Sequence, residues 1–218
     1  TTEIYTLSLH DALPICDSIV RSHLMCSQEI LDIFSEHHCK LFFIYRDLRD
    51  LAVSHARWIT KEKRIFLHDI YQQQPSFDEQ LMSSIVGMPL GSPFGSNLSQ
   101  PNIAQDFSRW HGWLHHPNTL AIKFEDLVGE RGGGCEDKRL RIVSQIMEHL
   151  QISMSASEIE TKFSSQAMNP EESHTFKKGG KGSIGGWRKH FKADHKAEFK
   201  KIAGNLLIDL GYETTLDW

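Results

Sequence analysis

Five consecutive apolar or aromatic residues, Leu41 to Tyr45, run into Arg46 and then into an amphipathic segment that begins near Asp47. Within Lys40–Ser54 this pattern predicts a buried strand handing over to a helix. Upstream, Ile19-Val20 followed by Arg21-Ser22-His23 reads as a second short strand running into polar residues. Between the two, Ser27 is placed to cap a helix that carries Ile30, Leu31 and Phe34 on one side. Strand, helix, strand and helix therefore alternate up to about Arg64, which favours a parallel sheet with helices on its faces.

Downstream the pattern is mostly helical. Ile65–Gln74 extends or follows the preceding helix, and Phe77–Val86 forms another short one. The stretch GMPLGSPFGSNLSQP holds three glycines and three prolines and suits an irregular surface loop. Asn102 can cap a helix in which Ile103, Phe107, Trp110 and Leu114 recur at helical spacing, so Trp110 and Trp113 are expected in the core. Thr119–Phe124 is the clearest remaining strand, with Glu125-Asp126-Leu127 turning out of it and a glycine-rich patch at 129–134 beyond. Leu140, Val143, Ile146, Met147 and Leu150 make one helical stripe. A shorter helix follows from about Ser157 to Phe163, and a last one runs from Asp194 to Leu210.

At 218 residues the chain is long enough for one domain with a sizeable core. Lysines and arginines number 24 against 28 acids, a net charge of −4, which gives no global basic footprint; nucleic acid is not an expected partner. No apolar run approaches the roughly 18 residues of a membrane span. Residues 1–15 lack a basic leader and a proper apolar stretch, so no cleavable signal is expected. The stretch LSLHDALPI looks like translated sequencing-adaptor read-through. Residues 1–16 are accordingly expected to be a non-native or disordered arm, with a partial domain over 17–218. Cys16, Cys26, Cys39 and Cys135 are too widely spaced for a zinc knuckle and too sparse for a disulfide framework, which points to reduced thiols and a cytoplasmic location. Thirteen histidines lack ligand spacing, so no metal is expected.

Three stretches could carry chemistry. Arg46 stands at a strand-to-helix corner, where open α/β sheets meet bound anions, with Ser54 two turns further on. The competing reading makes Arg46 a surface residue paired with Asp47 or Asp50. The segment FKKGGKGSIGGWRKHF, residues 176–191, offers Lys177, Lys178 and Lys181 among sterically open glycines. It can wrap a phosphate, although it lacks P-loop spacing, and otherwise it is a mobile basic surface loop. His23 offers a neutral imidazole able to take a proton from a hydroxyl at physiological pH.

In this order, IVRSHL at 19–24, FFIYRDLRDLAVS at 42–54, LAIKFEDL at 120–127 and KKGGKGSIGGWRKHF at 177–191 resemble the cytosolic-type sulfotransferases. So does the closing AGNLLIDLGYETTLDW. The resemblance implies an α/β, three-layer architecture, a mostly parallel central sheet flanked by helices, P-loop-nucleotide-kinase-like, lacking the first strand and the phosphosulfate loop. It implies sulfuryl transfer from 3'-phosphoadenosine-5'-phosphosulfate (PAPS), without a metal, to a hydroxyl or amine of a small acceptor. His23 falls on the family's catalytic base. Arg46 and Ser54 fall on the pair that holds the 3'-phosphate, and Phe124 stands where many members have a tyrosine near the adenine. Lys178, or Lys181 with Gly182, falls on the Arg-Lys-Gly loop that closes on the same phosphate, in one of two registers. Neither register supplies an arginine, so donor binding is expected to be weakened.

The family's Pro-Lys-Ser/Ala-Gly-Thr-Thr-Trp loop has no match in residues 1–22, so turnover is expected to be impaired. The alternative reading is an inactive nucleotide-binding remnant that recognises adenosine 3',5'-bisphosphate (PAP). Residues 65–118, with Phe66, Phe77 and Phe94, are expected to form much of the acceptor pocket or else to lie in the core.

Overall fold

The computed structural model describes residues 22–92, 99–164 and 184–218. Helix α1 (Gln28–Glu36) is followed by strand β1 (Leu41–Tyr45) and helix α2 (Leu48–Lys61). Three helices come next, α3 (His68–Gln72), α4 (Phe77–Val86) and α5 (Ile103–His111), then strand β2 (Thr119–Lys123) and helix α6 (Phe124–Leu127). Helices α7 (Glu136–His149), α8 (Ala156–Phe163) and α9 (Ala193–Asp209) complete the order, with short 3-10 turns at Gly112–Leu114, Glu130–Gly132 and Gly186–Lys189.

Local chemistry accounts for most of these boundaries. Side chains of Ser27, Asp47, Ser76, Asn102 and Ser155 each accept a hydrogen bond from the first turn of the helix they precede. Asn102 with Gln105 and Ser155 with Glu158 form reciprocal capping boxes. Helix α5 stops at His111, so Leu114 falls in the following 3-10 turn; Trp113 is buried, whereas Trp110 is only half-buried.

The sheet departs from the three-layer expectation. Among the described residues it has two strands, β1 and β2, parallel and in register from Leu41↔Thr119 to Tyr45↔Lys123. The expected strand at Ile19-Val20 lies outside the described residues. The physical reason for the difference is visible in β1, which is half-exposed rather than buried. Phe43 and Tyr45 pack on the core, while Phe42 and Ile44 on the opposite face stay 40% and 52% exposed. A central strand of a three-layer fold would be covered on both faces. Most of the remaining apolar residues recur every three or four positions and so close helix upon helix instead.

The larger core cluster joins α2, α4, α5 and α9 through Leu48, Ala52, Leu81, Ile85, Phe107, Phe199 and Leu207, with Trp187 and Phe191 from the segment before α9. A second cluster sits under the other end of α2, where Ala56 and Ile59 meet Leu67, Ile70, Tyr71 and Met88. Burying each large side chain contributes roughly 1.5–3 kcal/mol, so α2, which feeds both clusters, is the element the others are fixed to. His195, fully buried, ties the start of α9 to α4: its Nδ1 accepts from the Lys192 N–H and its Nε2–H donates to the Asp78 carbonyl.

Candidate functional site

The parallel register builds the first half of the site. Because Tyr45 pairs with Lys123, the next residue of each chain segment, Arg46 and Phe124, leaves the sheet at the same level. The Arg46 guanidinium carbon lies 4.7 Å from the Phe124 ring centroid, within cation–π range. Phe124 is the first residue of α6 rather than the last of the strand.

Glu125 knots this corner together. Its Oε1 accepts the Asp47 backbone N–H at 2.9 Å and its Oε2 accepts the Tyr212 hydroxyl at 2.8 Å. Burial first, and then the Glu125 charge, push the Tyr212 hydroxyl far up from the usual phenol range, so it stays a donor. Tyr45 is likewise pushed up by burial, with Asp126 and Glu125 adding to it.

One turn along, Asp50 is 3% exposed and serves three partners. Its carboxylate lies 3.5 Å from Arg46 Nη2, and it accepts the backbone N–H groups of Gly185 and Trp187, each at 2.8 Å. Gly185 and Trp187, in the C-terminal part of the 176–191 segment, are thereby tethered to the Arg46 corner. Ile184 adds a bond from its N–H to the Gly132 carbonyl, 3.2 Å, which gives the 129–134 glycine patch a role as a docking point. Ser54 lies one further turn along α2 from Asp50, on the same face, and is exposed.

Arg49, the neighbouring cation, is structural. It is 2% exposed, forks onto Asp47 through Nε (2.9 Å) and Nη2 (2.8 Å), and reaches Glu213 through Nη1. Its guanidinium carbon lies 4.1 and 4.5 Å from the ring centroids of Trp187 and Trp218, which meet each other edge to face. Burial works against its charge, and Asp47 and Glu213 outweigh that effect.

His23 belongs to another neighbourhood. It is exposed, in the segment before α1, and the residues after it are pinned to α5 and the turn that follows: the Trp113 indole donates to the Leu24 carbonyl at 3.0 Å, and the Cys26 N–H donates to the Arg109 carbonyl at 2.8 Å. Gly112 permits this approach, since a Cβ there would stand 2.4 Å from Cys26 Sγ. Arg109 also lines a cavity of about 360 Å³ beside α2. Phe66 lines that cavity too, whereas Phe77 packs against both core clusters.

The structure thus brings Arg46 and Phe124 into contact and sets Ser54 in line with Arg46's partner Asp50. Arg46 is paired with Asp50, as the competing reading has it, and stands at the strand-to-helix corner. Lys178, Lys181, Gly182 and Phe94 lie outside the described residues. Glu125 and the backbone-accepting role of Asp50 were not foreseen; the Arg46–Asp50 spacing of four was the available signal. Among the described residues no three His, Cys, Asp or Glu side chains cluster as a metal site would require. No helix there is long and apolar enough to cross a membrane.

Comparison with known families carries the identification. The sulfotransferase domain matches residues 14–211, so the chain belongs to the sulfotransferase-domain family. Among solved structures it is similar to mouse sulfotransferase SULT7A1 complexed with PAP, with a TM-score of 0.56 at 15% identity, over 89% of this chain and 67% of that one. Comparison with curated proteins gave no match.

Proposed function

We propose that the chain transfers a sulfuryl group from PAPS to a hydroxyl or amine of a small acceptor. The observation that carries this reading is the shared carboxylate of Asp50, which draws Arg46 and the segment after the Lys/Gly stretch to one corner. A guanidinium there suits a phosphate, and because Asp50 also accepts two backbone N–H groups it positions Arg46 more than it neutralises it. In this reading Arg46 and Ser54 hold the 3'-phosphate, Phe124 lies by the adenine, and Lys178 or Lys181 with Gly182 closes on the phosphate. His23 removes the acceptor's proton as its oxygen or nitrogen attacks sulfur, and PAP leaves with the electrons of the broken S–O bond. The mouse relative's complex with PAP supports the choice of nucleotide. The free thiols of Cys26, Cys39 and Cys135 support a cytoplasmic setting.

No stretch of residues 1–22 matches the loop that wraps the phosphosulfate in the family, and a site without that loop would turn over slowly. That sequence observation also favours a second reading, a nucleotide-binding protein that recognises PAP without catalysis. A PAPS-dependent sulfation assay with 2-naphthol, run beside PAP calorimetry, separates them. Slow sulfation that His23→Ala abolishes while PAP still binds supports the enzyme. PAP binding without sulfation supports the second reading, and absence of both overturns the two together.

A further inference from the structure

Helix α2 has two working faces. Asp50 and Ser54 lie toward the Arg46 corner, whereas His55, Trp58, Ile59 and Glu62, spaced three, four and seven residues apart, line the 360 Å³ cavity. The volume is within the range of small-molecule sites, and the wall is largely apolar, with Trp58, Ile59, Ile65, Phe66, Leu67 and Ile103. Phe66 and Trp58 both line it and are 66% and 39% exposed, so it opens to solvent between apolar side chains.

Most polar groups of the wall are already engaged. Tyr71 donates to Gln100 Oε1 at 3.0 Å, and Gln100 Nε2 donates to the Ser83 carbonyl at 3.5 Å. The charges at the rim are matched in opposite-sign pairs, Arg64 with Glu62 at 2.9 Å and Arg109 with Asp106 at 3.7 Å, so the cavity favours no net charge on its occupant.

His55 differs from these groups. Its Nδ1 lies 3.0 Å from Ser84 Oγ, and Ser84 donates its one hydroxyl proton to the Ala52 carbonyl at 3.1 Å. In that arrangement Ser84 accepts from His55, and the tautomer that matches it carries the proton on Nδ1 and a lone pair on Nε2. The ring is held beside Trp58, at 6.3 Å between centroids and 30° between planes.

We propose that His55 is the specificity-determining residue of this cavity, its Nε2 accepting a hydrogen bond from an uncharged ligand with an apolar body and a hydroxyl or N–H donor. A site built to accept one hydrogen bond rejects a ligand of the same shape that lacks the donor, because the acceptor is then buried unsatisfied. The assignment rests on the sulfotransferase reading only for calling that ligand an acceptor, since binding in the cavity needs no nucleotide.

The test uses the full chain without nucleotide and reads the binding of 2-naphthol and of 2-fluoronaphthalene, which keeps the shape and lacks the donor. Calorimetry should give at least about tenfold tighter binding of 2-naphthol. In His55→Phe the two affinities should converge through loss of naphthol binding alone. His55→Gln, whose amide oxygen can accept, should restore part of the preference. Equal affinities in the wild type, an undiminished preference in His55→Phe, or no preference in His55→Gln overturns the proposal, as does failure of both compounds to bind the wild type. Since PAP binding is measured separately, such a failure leaves the nucleotide reading standing.

Discussion

Arg46 and Gly185 meet on one carboxylate oxygen. Asp50 Oδ2 lies 3.5 Å from the Arg46 guanidinium and accepts the Gly185 N–H at 2.8 Å. Residues that are remote in sequence are thereby held to a common corner. If that carboxylate is the tether, weakening it should release the segment without unfolding the domain. In Asp50→Asn the ion pair is gone and only one side-chain oxygen remains to accept from Gly185 and Trp187. Amide hydrogen exchange at those two residues should accelerate by tenfold or more, about 1.4 kcal/mol of local protection, while PAP affinity falls. Unchanged exchange at both would show that the segment is held by its packing instead.

Arg49 gives a stability prediction of a different size. Removing it leaves Asp47 and Glu213 without their cation and takes a cation–π contact from both Trp187 and Trp218. Breaking a buried pair from one side costs about 3–5 kcal/mol, so Arg49→Ala should lower the urea midpoint severely. Arg49→Lys should recover only part of the loss, because an ammonium cannot fork onto Asp47 while also reaching Glu213 and both indoles. Full recovery by lysine in urea titration would contradict this account of Arg49.

Gly87 ends α4 with a φ of +76°, and a Cβ there would stand 2.4 Å from the Gln100 carbonyl oxygen and 2.7 Å from the Asn102 nitrogen. Both obstacles are backbone, held by the Met88–Gln100 bridge. Gly87→Ala is expected to destabilise by at least about 1–3 kcal/mol and to disturb the cavity wall at Gln100 and Pro101. Thermal denaturation checks the first effect, and 2-naphthol affinity the second. A neutral substitution would mean that the backbone at Gln100 shifts freely.

The His55 imidazole is pushed down from its ordinary value by burial, with Asp106 opposing. On acidification the unfolded chain therefore takes up this proton before the folded one does. The contribution of neutral His55 to stability is complete above the unfolded value, about 6.5, and is lost as pH falls from there through the folded value. The stability difference between the wild type and His55→Gln should accordingly be greatest above pH 7 and shrink toward pH 5 in urea titrations. A difference that grows on acidification would mean that the ring is charged in the fold.

What the sequence revealed was local. Phe77–Val86 and Leu41–Tyr45 begin and end where their apolar pattern says, and Ser27 and Asn102 cap the helices they precede, because capping and periodicity act within a few residues. The extent of the sheet was not legible: a continuous apolar run such as LFFIY looks the same whether one face or two are covered, and only packing leaves Phe42 and Ile44 exposed. The contact between Arg46 and Phe124 depends on strand register, which neither motif encodes alone. His55 was one histidine among thirteen, distinguished only once Ser84 and the cavity came to lie around it.

The claim that the Arg46 corner receives a ribose-side phosphate is tested most directly by calorimetry with PAP and with adenosine 5'-monophosphate, on the wild type and on Arg46→Ala. PAP should bind the wild type at least about tenfold more tightly than the monophosphate, and the mutation should bring the two together by weakening PAP alone. Equal affinities in the wild type, or a preference for PAP that survives in Arg46→Ala, would contradict the account.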